Sequence, residues 1–122
     1  MTDSDRSFLR TAFTDLLVQL DHQDFSDQPR HGEPHAANLI STDEGVRWID
    51  FEGACHGPLE WDLAHLDADV AEYCPGLNPS HLQLLRLLTS ARVAVWCWAR
   101  AEHANMRSHA THHLGVLRTT LA

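Results

Sequence analysis

The sequence predicts a mostly α chain (α+β) with one small β-hairpin, and three observations point there. Phe8, Leu9, Ala12, Phe13, Leu16, Leu17 and Leu20 recur at three- and four-residue spacing near the start. Residues 81–105 carry Leu82, Leu84, Leu85, Leu87, Leu88, Val93, Val95, Trp96 and Trp98, apolar on most sides of a helix. Between these two stretches, short β-branched and aromatic runs flank Thr42-Asp43-Glu44-Gly45. A 3.6-residue period marks a helix, and short extended runs around a turn mark a hairpin.

Taken in order, residues 4–20 form an amphipathic helix, with Asp3 or Ser4 as its N-cap. Residues 21–30 are polar, with Pro29 near the end, and read as a loop. Residues 38–41 and 46–51 are the two arms of the hairpin, and Gly45 supplies the positive φ that closes it. Gly53, Gly57 and Pro58 mark an irregular connection. A helix over 59–73 follows, carrying Trp61, Leu63, Ala64, Leu66, Val70 and Tyr73. Pro75-Gly76 stops it, and Asn78-Pro79-Ser80 has the chemistry of a new helix start. The helix over 81–105 is expected at the centre of the core. Trp96 and Trp98 fall on different faces of it, so one is expected inside and the other on a groove or partner surface. A last helix covers 106–121 through Leu114, Val116, Leu117 and Leu121.

With 122 residues, a single domain over 1–122 is expected. A formal charge of −8 excludes a positive field for nucleic-acid phosphates and fits a cationic substrate or bound Mg²⁺. All nine basic residues are arginines, so the sequence contains no lysine. Cys55, Cys74 and Cys97 are odd in number and form no CxxC pair, which predicts free thiols in a reducing, cytoplasmic setting. No secretory n-region is visible at the start. The apolar run near residues 94–99 falls far short of the roughly 20 residues that span a bilayer, so no membrane partner is expected.

The residues that carry chemistry are His31-Gly32-Glu33-Pro34-His35-Ala36-Ala37-Asn38, then Trp48-Ile49-Asp50-Phe51-Glu52, then Gly57-Pro58-Leu59-Glu60-Trp61-Asp62-Leu63-Ala64. Phosphoryl transfer needs a carboxylate beside the acceptor hydroxyl, and an amide and a second carboxylate to hold Mg²⁺ against the phosphates. The kinase loop H-R-D-x-x-x-x-N spaces its acid and amide as Glu33 and Asn38 are spaced here. Antiparallel arms about 5 Å apart fold Asp50 back beside Asn38.

These three linked segments resemble the aminoglycoside phosphotransferase/choline kinase family, whose pattern is HGDxHxxN followed by a hydrophobic-IDFxxxxxGxxxxDLA block. The likeness spans about residues 31–64. It implies the helical C-terminal lobe of the protein-kinase-like fold, and transfer of the ATP γ-phosphate to a hydroxyl of a small molecule. By that resemblance Glu33 takes the catalytic-base position, and Asn38 and Asp50 take the Mg²⁺-ligand positions. His31 supports the loop by packing and hydrogen bonding, and Asp62 braces it from a helix start. His35 lies where protein kinases place a lysine near the transferred phosphate.

Two departures stand out. Glu33 replaces the family's usual Asp and is one methylene longer. The sequence also offers neither the family's N-terminal sheet lobe nor its phosphate-holding lysine, so the nucleotide-binding residues are unassigned. The isolated chain is therefore not expected to be a competent kinase. A truncated remnant, a split-kinase half awaiting a separate lobe, or a binding module is the alternative, with homodimerisation through exposed apolar surface as a further expectation. A helical interaction protein with an accidental motif is a third reading.

Plainer readings cover the remaining candidates. His31 and His35 are four apart, but Gly32 and Pro34 oppose the helix that an H-E-x-x-H zinc site needs. His103, His109, His112 and His113 read as a solvated helix face. Cys55 reads as a buried, inert thiol, and Glu52 and Glu60 as solvated loop carboxylates. Asp67, Asp69 and Glu72, beyond Asp62, are candidates to favour a cationic acceptor.

Overall fold

Thr2 begins the first helix, α1 (Asp3–Asp21). Its hydroxyl accepts from the Asp5 N–H at 3.1 Å, and the Asp5 carboxylate accepts from the Thr2 N–H at 2.9 Å. This reciprocal box explains why neither Asp3 nor Ser4 caps the helix. The box needs an acceptor side chain three residues after the cap, which Thr2 finds in Asp5. Asp3 would meet the cationic Arg6. Leu9, Ala12 and Leu16 supply the buried stripe of α1.

The computed structural model describes residues 1–66 and 74–122. After α1 come β1 (Gln28–Arg30), a 3₁₀ turn (Ala36–Asn38), β2 (Leu39–Thr42), β3 (Gly45–Trp48), β4 (Cys55–Gly57), α2 (Leu59–Leu63), α3 (Pro79–Trp98) and α4 (Ala104–Leu121). The class is mostly helical with small two-stranded sheets. Residues 67–73, including Asp67, Asp69, Glu72 and the end of the expected 59–73 helix, lie outside the described residues. Two compact units are present: Met1–Gln23 with Leu87–Ala122, and Asp24–Arg86.

The first unit is a helical packing of α1, the later part of α3, and α4. Leu87, Leu88, Ala91, Ala94 and Cys97 of α3, and Ala110, Leu114 and Leu117 of α4, are buried together with the α1 stripe. Arg118 of α4 donates to Asp5 at 2.7 Å and lies 5.1 Å above the Phe8 ring, joining the two ends of the chain. α3 stops at Trp98, short of the expected 105. Arg107 donates to the Ala101 carbonyl, and His103 N–H donates to the Arg100 carbonyl, closing a turn over 99–103. Ala, Arg, Glu and His fill that turn without Gly or Pro, so the sequence carries no breaker signal there. Trp96 is half exposed while Trp98 is partly buried, with its indole N–H unpartnered.

The second unit holds both sheets. The hairpin pairs Leu39 with Trp48 and Thr42 with Gly45. Gly45 takes φ +105°, the backbone conformation expected of it. Residues 28–30, expected as loop, instead pair with β4 as Gln28–Gly57, Pro29–His56 and Arg30–Cys55. Three residues containing a proline carry no readable period, which is why this strand was not legible. β4 leaves Cys55 exposed, correcting the expectation of a buried thiol. Glu60 is also corrected. It is 8 % exposed and accepts the Asn78 N–H at 3.0 Å, while Asn78 Oδ1 accepts from Ser80 and His81 N–H to cap α3.

His113 of α4 is half-buried, with Nδ1 3.2 Å from Ser90 Oγ. Burial lowers its pKa below the usual 6.5, and the neighbouring His112 and His109 lower it further. The folded state therefore disfavours the proton that the unfolded chain takes up. Stability from this site is full above 6.5 and declines as pH falls from 6.5 through the lowered folded value. Urea unfolding of wild type and His113→Gln, followed by circular dichroism across that range, is expected to show a steeper acid-side loss in wild type.

Candidate active site

Asp62, near the end of α2, places one carboxylate oxygen on each of two successive backbone amides. Oδ2 accepts from His31 N–H at 3.1 Å, and Oδ1 from Gly32 N–H at 2.9 Å. Charge-assisted bonds to a partly buried carboxylate are the strong kind. They fix the start of the loop at residues 31–38. Gly32 there takes φ +96°, and a Cβ on it would sit 2.1 Å from the Gly53 carbonyl oxygen. Only glycine fits this close approach of two backbones.

His31 makes the next tie. Glu33 N–H donates to His31 Nδ1 at 3.2 Å, which requires that nitrogen to be unprotonated. Nε2 therefore carries the proton and donates to the Ile49 carbonyl at 2.8 Å. The imidazole also packs against Phe51 and Trp48, with ring centroids 4.7 and 5.3 Å away. One side chain thus bridges the loop and the strand that delivers Asp50.

The loop closes on Asn38. His35 N–H donates to the Glu33 carbonyl, and Asn38 N–H donates to the His35 carbonyl, each at 2.9 Å. Asn38 Nδ2 also donates to the Glu33 carbonyl at 2.9 Å. Asn38 is 7 % exposed, and its carbonyl accepts from Ile49 N–H at 2.9 Å. That bond extends the hairpin by one rung and makes Asp50 the residue directly after Asn38's cross-strand neighbour. Asp50 has φ +60°, in the left-handed region, and is exposed. Aspartate tolerates this conformation better than most residues, at a cost on the order of 1 kcal/mol.

The structure therefore ties His31, Glu33 and Asn38 of the loop to Asp62 of α2 by hydrogen bonds, with Asp50 two residues past the end of β3. His35 contributes through its backbone. Glu52 is exposed. Sequence reasoning missed Gly53 as the counterpart of Gly32, and the Ile49 carbonyl as the acceptor for His31. A glycine within a run that also holds Gly57 gives no cue to which backbone approaches it. Arg30, whose Nε donates to the Gly57 carbonyl at 3.1 Å, was missed with its strand.

The fit of a metal rests on donor chemistry. With Nδ2 committed to Glu33, Asn38 has its amide oxygen left to offer, and Asp50 offers an exposed carboxylate. Both are hard oxygen donors of the kind Mg²⁺ takes alongside water and phosphate oxygens. Among the described residues no group of three or more His, Cys, Asp or Glu could hold a metal ion, so a self-sufficient zinc-type cage is absent there. Among the same residues no helix is long and apolar enough to cross a membrane.

Two substitutions test the pinning. Asp62→Ala leaves two amides without their acceptor, at about 1–3 kcal/mol each, and is expected to lower the urea midpoint clearly. Gly32→Ala forces a Cβ into Gly53 and strains φ, and is expected to cost on the order of 2–4 kcal/mol by the same measurement.

No family profile and no curated protein matches the chain. Among solved structures, choline kinase LicA from Streptococcus pneumoniae matches over 91 % of this chain, with a TM-score of 0.66 and 16 % sequence identity. The matched region is 48 % of that kinase, so the chain spans about half its length. The likeness shows a kinase-like fold.

Proposed function

We propose that this chain carries the catalytic loop of a phosphotransferase that moves the γ-phosphoryl group of ATP to a hydroxyl of a small molecule. The observation that carries this reading is the loop itself. Asp62 pins it, His31 ties it to the strand of Asp50, and Asn38 closes it. The fold shared with a choline kinase supports the same reading.

In this proposal Glu33 orients the acceptor hydroxyl and takes its proton. Asn38 and Asp50 hold Mg²⁺, which neutralises charge on the phosphate oxygens when bound. His31 and Asp62 position the loop and touch no reacting atom. His35 is a candidate to offset charge near the transferred group. An acceptor of cationic character is the finer expectation, motivated by the −8 net charge.

A specific observation favours a second reading, in which the chain is one half of a split enzyme, a remnant or a binding module. These 122 residues hold no lysine, so an ammonium for the α/β-phosphates has to come from elsewhere. The hairpin and the segment after it also leave Ile40 42 %, Val46 63 % and Phe51 58 % exposed, apolar surface that a separate nucleotide lobe can cover.

Calorimetry with Mg²⁺-ATP, followed by a phosphate-transfer assay on cationic and neutral alcohols, separates the readings. Under the first, the chain binds ATP only with Mg²⁺ and Asp50→Ala abolishes both binding and transfer. Glu33→Gln keeps binding and lowers kcat by about 10²–10⁴-fold. Transfer that survives Asp50→Ala overturns the assignment. Absence of nucleotide binding by the isolated chain selects the second reading, and equal rates for neutral and cationic alcohols sink the charge argument.

A further inference from the structure

A groove of about 730 Å³ runs along the helical unit between α1 and the later part of α3. None of its lining residues belongs to the unit that holds the catalytic loop. Its floor is apolar, with Leu9 and Phe13 from α1 facing Val95 and Trp96 from α3. Val95 and Trp96 are each 50 % exposed. A tryptophan left half in water on a leucine-rich helix is the residue type most enriched at binding hot spots.

The charge around this floor is one-sided. Arg6, Arg10, Arg92 and Arg100 line the groove, four of the nine cations in a chain of net charge −8. No aspartate or glutamate lines it among the described residues. The guanidinium carbon of Arg100 lies over the Trp96 ring, 4.0 Å from its centroid, which holds a cation at the edge of the apolar strip. Arg6 meets Asp3 only at 3.7 Å, with both side chains well exposed, an arrangement of little energetic weight.

We propose that this groove docks an acidic amphipathic helix of a partner polypeptide. The apolar face of that helix would lie on Phe13, Val95 and Trp96, and its flanking Asp or Glu side chains would meet Arg6, Arg10 and Arg100. The setting favours a helix, since the groove is lined by residues of two helices, the arrangement used in helix-in-groove recognition. The charge favours an acidic one. A second copy of this chain is disfavoured because its apolar α1–α3 face carries the same arginines, which repel across a two-fold contact.

The test uses the full chain and two synthetic helical peptides sharing one apolar stripe, one flanked by Glu and the other by Lys. Binding is read by fluorescence anisotropy of the labelled peptides. The Glu-flanked peptide is expected to bind, to weaken as salt is raised, and to exceed the Lys-flanked peptide by about tenfold or more. Trp96→Ala and Arg10→Glu, both at solvent-facing positions, are each expected to weaken it about tenfold with unchanged circular dichroism. Equal binding of the two peptides, no binding of either, or indifference to both substitutions overturns the proposal. Self-association that Arg10→Glu alters, seen by ultracentrifugation, also overturns it and assigns the groove to a second copy. Displacement of the Glu peptide by a fatty acid at lower concentration than by unlabelled peptide reassigns the groove to a small anionic amphiphile and overturns the helix.

Discussion

The paired bonds from Asp62 to the His31 and Gly32 amides set the terms for the rest of the second unit. A loop start with two free N–H groups in a partly buried setting has to find acceptors or lose stability. One carboxylate on α2 supplies both. Because it holds Gly32 in a left-handed conformation against the Gly53 carbonyl, the chain beyond Asp50 must run past the loop at backbone contact. The ties from His31 to Ile49 and from Ile49 to Asn38 then follow as near neighbours. Three separate segments (the loop, the hairpin and α2) thereby share one anchoring group.

This anchoring is almost wholly a matter of backbone. The atoms held by hydrogen bonds are the amides of His31, Gly32 and Glu33 and the carbonyls of Glu33, Asn38 and Ile49. Asp50, by contrast, presents an exposed carboxylate on a residue whose φ is itself unfavourable. Such a division suits a site that must hold its frame while exchanging ligands: rigid carbonyls and amides behind, hydrated oxygen donors in front. Under the proposed function, this chain's own metal ligands would be Asn38 and Asp50 alone. Mg²⁺ sites built on one or two protein oxygens rely on phosphate and water for the rest.

What the sequence made legible follows the range of the interactions involved. α1, α3, α4 and the hairpin were readable because periodicity, Gly45 and Asn78-Pro79 act within a few residues of where they are written. The loop was readable as a non-helical segment because Gly32 and Pro34 oppose a helix there. Thr2 was missed as a cap although its partner Asp5 is local, since Asp3 and Ser4 are equally good capping types. Glu60 was misread because its partner, the Asn78 N–H, lies 18 residues away. β1 was missed because its only justification is β4, with Gln28 opposite Gly57. Cys55 was misjudged for the same reason, as its exposure is decided by that pairing and not by its chemistry.

Under the proposed function, the pinned backbone bears directly on the glutamate at position 33. A carboxylate one methylene longer than aspartate can be accommodated by retracting the backbone, by folding the side chain, or by shifting the acceptor. Retraction is closed off here: Gly32 already lies against Gly53, Glu33 N–H is committed to His31, and the Glu33 carbonyl accepts from both His35 and Asn38. The extra length must be taken up in the side-chain torsions or by an acceptor hydroxyl held farther from the loop. Either solution alters where the hydroxyl sits relative to the phosphate, and in-line transfer is sensitive to displacements of an ångström or less. The residue that departs from the pattern the loop resembles is thus placed where the surrounding structure leaves least room to compensate, so in the proposed reaction the shape of the acceptor becomes the variable that has to adjust.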